Sequence, residues 1–374
     1  MINLSRDGNS SKVLSLLRFP LAALVVFIHT EYPSDRSDAA YYLGTFLSYG
    51  LAQIAVPAFF FISGYLFFAR YERFGVKEYA SAMRKKALSL ALPYLLWIGL
   101  VYYGMGLLHG AGPDWYPLDL YKIFWAQSQG YVVHSVFGYE FSILSSPSAI
   151  GVMWFIRDLM VAMVLSPIVW WIVRRMRMWS LVVFFLPYIL YIGVPVQGFG
   201  LAALCFFPAG ATFSICGKDV VQSLTRWGGV ILAIFLIALG CKFTLDISSI
   251  HYHRSLSQLL IVSGIAVVFV IGNNVLRFPK AAKWLIKFGE ASFLLYVVHT
   301  LPLFWPLNKM LLHLQPIPYF GFTMYYIMSW GLRVGLVLCL YYVMKRLCPA
   351  VLSVLVGGRI SQSEKSTEKV KSVC

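Results

Sequence analysis

Long apolar runs recur from one end of this chain to the other. A membrane-spanning helix needs about 20 predominantly apolar residues, because it rises about 1.5 Å per residue across a hydrocarbon core roughly 30 Å thick. Of the 374 residues, 59% are hydrophobic and 12% are charged, whereas about 25% of the residues in a soluble domain are charged. The sequence predicts an all-α, polytopic membrane protein with about ten transmembrane helices, surrounded by membrane lipids. The predicted spans are 12–30, 46–69, 87–108, 150–173, 179–194, 199–216, 228–245, 257–275, 288–306 and 320–344.

Positive charges are distributed unevenly between these spans. The net charge is +16, and Lys and Arg accumulate on the cytoplasmic side of membrane proteins. With the N-terminus placed inside, most of the 31 Lys and Arg residues fall in the inner connections. This asymmetry predicts cytoplasmic termini and a multi-pass protein of a bacterial cytoplasmic (inner) membrane. No nucleic-acid partner is expected, because such binding needs a solvated basic face on a folded domain. The outer connections receive only Arg36, Lys122, Lys242, Arg254 and Lys309.

The first span carries two polar side chains, Arg18 and His29. Eleven residues at 100° each bring the second nearly back under the first, so both lie on one face, about 16 Å apart. An ionisable group inside a bilayer is costly and marks a functional site by default. Arg18 is permanently charged and requires a carboxylate, backbone carbonyls, water or an anionic ligand. His29 considered alone would more often be a helix-bonding or interfacial residue, but the shared face favours a polar passage.

The second span and the connection after it suggest a place for a ligand. Ser63 and Gly64 are small residues that either allow close helix packing or line a narrow ligand passage. The connection that follows is basic at both ends, and guanidinium groups suit phosphates. The simpler explanation for these charges is membrane topology alone. The basic residues are Arg70, Arg73, Lys77, Arg84, Lys85 and Lys86, and the two ends are predicted to face each other across a short loop.

The later spans hold further polar groups. Arg157 and Asp158 are adjacent and point about 100° apart, so they are predicted to reach different neighbours, one of them His29. Tyr296 and His299 lie one turn apart and face the same way. Arg333 completes this set of buried polar groups. No metal site is expected, because no Cys or His spacing typical of a metal centre is present, and the HYH at 251–253 is interpreted as incidental.

Two segments are polar rather than apolar. The outer connection 109–149 is rich in Tyr, Trp, Pro and Gly. These aromatic residues either sit at the membrane interface or form a re-entrant or lid segment that stacks on a sugar. The C-terminal segment has no apolar period and is predicted to be a disordered cytoplasmic tail. The predicted organisation is a transmembrane domain over 1–350 and a tail over 351–374.

Five motifs, taken in order, resemble the acyltransferase 3 family of integral membrane acyltransferases. They are the Arg-x10-His of the first span, FFFISGY in the second, the basic connection leading into LPY, MWF in the fourth, and SFLLYVVH near the end. Each motif alone is weak, but the ordered set covers residues 18–299. The resemblance implies a ten-helix bundle that takes an acyl group, usually acetyl, from cytosolic acyl-coenzyme A. The acceptor would be a hydroxyl of a surface glycan, such as O-antigen, peptidoglycan, capsule or a lipid-linked saccharide of the cell envelope.

The resemblance also implies roles for individual residues. His29 corresponds to the essential histidine, which would act as general base, and Arg18 is its partner. Where family members often show Arg-x-Arg near the coenzyme phosphates, this chain reads Arg70-Tyr71-Glu72-Arg73. The predicted donor-binding residues are Arg70, Arg73, Arg84, Ser63 and Gly64, and the predicted substrate-binding or supporting residues are Trp154, Asp158, Tyr296 and His299.

A proton-coupled transporter is the alternative. Ten helices with buried Arg, His, Asp and Glu can form a proton path. Transporters are often built from two related halves, and this sequence shows no such halves. The enzyme is therefore the favoured prediction, with a transporter of a small polar or anionic solute second.

Overall fold

Helices make up most of the structure, a computed structural model. It describes residues 8–31, 39–108, 130–136, 139–145, 151–190, 192, 198–244, 250–301, 304, 310–311 and 321–358. Short π or 3-10 segments link several helices, at Thr45–Leu51, Ala52–Ile54, Ala87–Ala91, Gly151–Met153, Arg177–Trp179 and Gly289–Ala291. The helices are α1 (Gly8–Ile28), α2 (Ala39–Gly44), α3 (Ala55–Phe68), α4 (Val76–Lys86), α5 (Leu92–Leu108), α6 (Trp154–Val164), α7 (Ser166–Met176), α8 (Ser180–Ile189), α9 (Leu201–Ile215), α10 (Val220–Thr225), α11 (Gly228–Thr244), α12 (Ile250–Val275), α13 (Pro279–Phe288), α14 (Ser292–Val298), α15 (Gly321–Leu347) and α16 (Pro349–Leu355).

Some of these helices are long and apolar enough to cross a membrane. Within the described ranges, four helical segments meet that requirement, and a fifth is counted if a pair bent by 59° forms one span. The chain thus has the helices of a membrane protein. The number ten and the orientation of the termini remain predictions. The four segments are Asn9–Ile28, Ala40–Phe68, Leu256–Val275 and Gly321–Leu347, and the bent pair is Gly151–Val164 with Ser166–Ile189.

The bent pair covers the predicted fourth and fifth spans. Its second half is interrupted at Arg177, whose φ of +50° lies in the left-handed region. Such a conformation is uncommon for a residue with a side chain, and it ends α7. The sequence predicts a cytoplasmic turn at this same place, where Arg174, Arg175 and Arg177 cluster.

One β-hairpin was not foreseen from the sequence. Strand β1 (Gly130–Val136) pairs antiparallel with β2 (Tyr139–Ser145), with Gly130 opposite Ser145. The all-α prediction therefore describes the helices and omits this hairpin. The strands contain several β-branched and aromatic residues, which favour extended backbone. They lie in the predicted outer connection 109–149, whose residues 109–129 are outside the described residues.

Contacts divide the chain into two compact units. One consists of the described residues within 60–217 and 348–358, and we call it the basic-loop unit. The other consists of the described residues within 8–59 and 218–347, and we call it the histidine unit. The predicted domain boundary at residue 350 falls inside α16, where Leu352 is buried. Residues 359–374 of the predicted tail are outside the described residues.

Glycines bring helices close together in both units. In the histidine unit, a Cβ at Gly289 would lie 3.1 Å from the Ser15 carbonyl oxygen of α1. In the basic-loop unit, a Cβ at Gly64 would collide with the backbone carbonyl of Phe207, and one at Gly210 with that of Phe61. Small residues are the usual means of close approach between membrane helices. Close packing thus positions α1 against Gly289–Ala291 and α3 against α9.

Candidate active site

His29 stands immediately beyond the last residue of α1. The backbone N–H of His29 donates to the Val26 carbonyl at 3.2 Å, and that of Thr30 donates to Phe27 at 3.2 Å. The Thr30 hydroxyl also donates to the Val26 carbonyl, at 2.8 Å. These bonds tighten the final turn and fix the direction of the backbone at His29. The His29 residue is exposed, so its ring is open to a ligand.

Arg333 of α15 holds the carbonyl group of His29. Its Nη1 donates to the His29 carbonyl oxygen at 2.8 Å, and its guanidinium lies 6.0 Å from the centre of the Phe304 ring. Arg333 is only 5% exposed. A cation at the C-terminal end of a helix interacts favourably with the terminal carbonyl groups and the helix dipole. Arg333 therefore positions the backbone that carries His29.

His299 lies beside His29. The two ring centres are 5.1 Å apart with 56° between the planes, and His299 is fully buried at 0% exposure. Its Nδ1 is 2.9 Å from the Leu295 carbonyl oxygen. Because a carbonyl oxygen can only accept, Nδ1 carries the proton and Nε2 of the neutral ring is an acceptor. Within the described residues, that buried Nε2 has no hydrogen-bond partner.

Two further groups complete what we call the histidine cluster: His29, His299, Arg333, Tyr325 and Glu31. The Tyr325 side chain is buried, and its hydroxyl has no hydrogen-bond partner among the residues the structure describes. Glu31, just after α1, lies within electrostatic range of both Tyr325 and Arg333. The cluster combines an exposed imidazole with buried polar groups able to accept or donate hydrogen bonds.

The structure does not join every predicted residue of this region to the cluster. Arg18 lies on α1, about 16 Å from His29 along the helix axis, and is exposed. Its guanidinium group makes no hydrogen bond or ion pair with any described residue. Tyr296 is buried one turn before His299, with its ring 6.5 Å from that of Phe293. The structure brings the predicted residues His29 and His299 side by side from two different helical segments.

Tyr325 was not identified from the sequence. A usable signal was present, because Tyr325, Ser329 and Arg333 recur every four residues in α15, and side chains four apart lie on one helix face. All three are buried, at 3%, 0% and 5% exposure. A polar stripe of this kind in an apolar helix marks the face that meets polar neighbours.

The basic connection of the other unit differs from the expected short loop. Arg70 and Arg73 precede α4 and Arg84 lies near its end, so a helix about 16 Å long separates them. The three arginines are exposed and make no hydrogen bond or ion pair with a described residue. The prediction that the two basic ends face each other across a short loop is therefore wrong. The hydrogen bond from the Gly75 backbone N–H to the Glu78 carboxylate marks the start of α4, and this signal was overlooked among the charged residues.

Glu78 stabilises the start of that helix. Its carboxylate accepts the Gly75 backbone N–H at 2.9 Å. The backbone N–H groups of Glu78 itself and of Gly75 hold the pKa of this carboxyl below its usual range. The negative charge stays at the N-terminal end, where the helix dipole favours it. The Glu78 carboxylate therefore forms its hydrogen bond at the opposite end of α4 from Arg84 and Lys85.

Gly64 and Ser63 occupy different surroundings. The space that a Cβ at Gly64 would fill is taken by the Phe207 backbone, so close helix packing is the role supported for Gly64. Ser63 is half-buried, and its hydroxyl makes no hydrogen bond with a described residue.

Arg157 and Asp158 pair with each other, contrary to prediction. The Arg157 Nε donates to the Asp158 carboxylate at 2.9 Å, and both side chains are buried. The long arginine side chain folds back far enough to overcome the 100° between adjacent helical positions. The Gly200 backbone N–H also donates to the Asp158 carboxylate, so Asp158 anchors the start of α9. Trp154, in the first turn of α6, packs with its ring 6.4 Å from that of Phe60.

A metal centre is not evident in the described part of the chain. No group of three or more His, Cys, Asp or Glu residues in that part lies close enough together to hold a metal ion. The side chains of residues 251–253 are outside what the structure describes.

Comparison with known proteins supports a transferase. The sequence model of a family described as an acyltransferase domain matches residues 12–342. The chain is also similar to succinoglycan biosynthesis protein ExoH of Rhizobium meliloti (strain 1021). The two are 27% identical over 387 aligned positions, covering 97% of this chain and 96% of the relative. No solved structure matches.

Proposed function

Because the chain belongs to the acyltransferase 3 family and is an acyltransferase, we propose that it moves an acyl group from cytosolic acyl-coenzyme A to a glycan hydroxyl. Acetyl is the proposed acyl group. The glycan is extracytoplasmic or lipid-linked. The relative ExoH is named for succinoglycan biosynthesis, which supports a polysaccharide acceptor.

The observation that carries the proposal is the setting of His29. Its backbone is held by Arg333 at 2.8 Å and its ring lies beside His299, yet His29 itself is exposed. An accessible imidazole on a backbone that is held in place is suited to general-base catalysis. This arrangement meets the first requirement of acyl transfer to a hydroxyl group.

The proposed reaction is a direct transfer. His29 takes the proton of the acceptor hydroxyl while that oxygen attacks the thioester carbonyl carbon. A carbon–oxygen bond forms, the carbon–sulfur bond breaks, and coenzyme A leaves as a thiolate. The proton on His29 then passes to the thiolate or to water, which restores the free imidazole.

The proposed donor site uses the exposed cations of the basic-loop unit. Arg70, Arg73 and Arg84 bind the coenzyme phosphates, since guanidinium groups pair well with phosphate oxygens. Ser63 contributes to the donor path. Arg18 acts on the donor rather than by touching His29, because the two are about 16 Å apart along α1. An exposed, unpaired arginine within a membrane span is a suitable site for a negatively charged or polar donor group.

The topology gives the reaction a direction. We propose ten spans with both termini cytoplasmic, in a bacterial cytoplasmic membrane, as the distribution of Lys and Arg predicts. The N-terminal half of α1 then faces the cytoplasm and His29 lies toward the outer leaflet. In this topology the donor is drawn from the cytosol and the acceptor glycan is met on the outer side.

A direct assay tests the proposal. Purified protein is incubated with radiolabelled acetyl-, propionyl- or succinyl-coenzyme A and with candidate glycans. Label in the glycan with matching release of free thiol is the expected result. No transfer with any donor, together with solute counterflow in liposomes, would instead establish the transporter.

A further inference from the structure

Acyl transfer by His29 alone gives no reason for the buried imidazole of His299. Its Nδ1–H is committed to the Leu295 carbonyl, and its Nε2 is buried without a hydrogen-bond partner in the described residues. A buried polar atom that lacks a partner costs free energy. The ring of His29, which can offer a polar hydrogen, lies 5.1 Å away between ring centres.

That separation fits a hydrogen bond between the two rings. In a hydrogen bond of this kind the two ring nitrogens lie about 2.9 Å apart. Adding the distance from each nitrogen to the centre of its own ring places the two centres about 5 Å apart. The 56° tilt does not prevent it, because the bond runs along the N–H direction and not through the ring faces. The terminal torsion of a histidine side chain is broad, and the exposed ring of His29 is free to turn.

We propose that His299 is a positioning residue whose Nε2 accepts a hydrogen bond from His29 and fixes which His29 nitrogen faces the acceptor hydroxyl. A general base works best when a third group orients it, a role that a carboxylate fills in many hydrolases. Here a neutral imidazole, itself fixed by a backbone carbonyl, supplies the acceptor. The inference rests on the proposed function of His29 as base.

The charged and titratable groups around the pair come from three elements. Arg333 of α15 holds the His29 carbonyl, Tyr325 of the same helix and Glu31 lie within electrostatic range of Arg333, and Tyr296 precedes His299 on α14. The hydrogen bond to His299 matters most after proton transfer. A bond donated by the imidazolium of His29 is stronger than one donated by the neutral ring, so His299 stabilises the protonated base without receiving the proton.

Two substitutions separate orientation from packing. His299→Leu removes the acceptor at similar volume, and His299→Gln retains an amide oxygen that can accept. We expect kcat to fall by about 10- to 100-fold in His299→Leu, which is what loss of a hydrogen bond to a charged group represents. KM for the acceptor should be unchanged, and His299→Gln should recover part of the loss. The acidic midpoint of the pH–rate profile should move to lower pH in His299→Leu, because the protonated form of His29 loses its acceptor.

Other outcomes would overturn the inference. A raised KM with unchanged kcat would mean that His299 binds the acceptor itself. Equal losses in His299→Leu and His299→Gln, with the pH profile unmoved, would mean that His299 only packs. Val298→Ala, which removes buried volume one residue away, is the packing control and should leave the pH profile in place.

A spectroscopic measurement does not depend on turnover. In protein labelled with 15N-histidine, the ring-nitrogen shifts report which nitrogen of His29 carries the proton. One tautomer is expected in the wild type and a mixture in His299→Leu; a mixture in both would overturn the inference. If no donor supports acyl transfer, the proposed function fails, while this measurement still decides whether His299 orients His29.

Discussion

The histidine cluster and the basic connection present the same kinds of polar side chain in opposite ways. In the cluster, Arg333 is buried and hydrogen-bonded to a backbone carbonyl. In the basic connection, Arg70, Arg73 and Arg84 are exposed and have no partner in the described residues. Buried hydrogen-bonded groups keep their neighbours in fixed positions, whereas exposed cations mainly attract anions through an electrostatic potential that dissolved salt screens. The first arrangement suits catalysis and the second suits the capture of a charged donor.

The strongest test of this contrast removes the base. His29→Ala should lower acyl transfer by about 10² to 10⁴-fold, the usual contribution of a general base. Donor binding should persist, because the proposed donor site lies in the basic connection. Acyl transfer and donor binding are measured by the radiolabel assay and by equilibrium dialysis with acetyl-coenzyme A.

His251→Ala provides the matched control for this change. It removes a different histidine, at the start of α12, and should leave transfer unchanged. Near-normal transfer by a well-expressed His29→Ala protein would eliminate His29 as the base.

A smaller effect is expected where the cluster is loosened without removing the base. Arg333→Lys keeps the charge but replaces the rigid guanidinium fork by a point charge. A lost charge-assisted hydrogen bond corresponds to a decrease in kcat of about 10- to 100-fold. Because the His29 ring remains, the pH dependence of the residual activity should keep its wild-type midpoint. A wild-type kcat in Arg333→Lys would show that the bond to the His29 carbonyl is dispensable.

The two regions were not equally predictable from the sequence. The apolar runs predicted the first span at 12–30, close to α1 at Gly8–Ile28, because length and hydrophobicity are local properties. The pairing of His29 with His299 was not predicted, since periodicity shows which face of a helix is polar but not which distant helix it meets. Arg157 and Asp158 were misjudged because helix geometry describes Cβ directions and ignores the reach of a long side chain.

Local sequence patterns also gave a wrong prediction where two patterns in one segment indicated different structures. The charges of α4 were interpreted as a loop, although Glu78 and Gly75 together form a helix start. The hairpin Gly130–Val136 with Tyr139–Ser145 lies in a segment interpreted from its aromatic residues alone. Gly64 was predicted either to pack closely or to line a donor path, and its neighbour Phe207, which follows much later in the chain, could not be inferred.

Gly64 offers a test of packing within the basic-loop unit. Gly64→Ala places a methyl group against the Phe207 carbonyl, and overpacking of this kind costs about 1–3 kcal/mol. We expect a lower thermal unfolding temperature in detergent, with KM for acyl-coenzyme A unchanged in the folded fraction. Gly104→Ala is the matched control, because a Cβ there meets nothing within 4 Å. A higher KM at unchanged stability would show instead that Gly64 lines the donor path.

The smallest effect is expected where exposed charges are removed. Arg70→Gln with Arg73→Gln should raise KM for acyl-coenzyme A by about three- to tenfold, because exposed ion pairs contribute little individually. The effect should shrink as salt is added, since salt screens exposed charges. Acyl donors made from dephospho-coenzyme A sharpen the test. Their KM should be higher than that of acyl-coenzyme A in the wild type, and this difference in KM should be smaller in the double variant. Arg277→Gln with Lys280→Gln removes the same charge from the histidine unit and should leave KM unchanged. An equal rise in that control would mean that net charge, rather than a phosphate site at Arg70 and Arg73, attracts the donor.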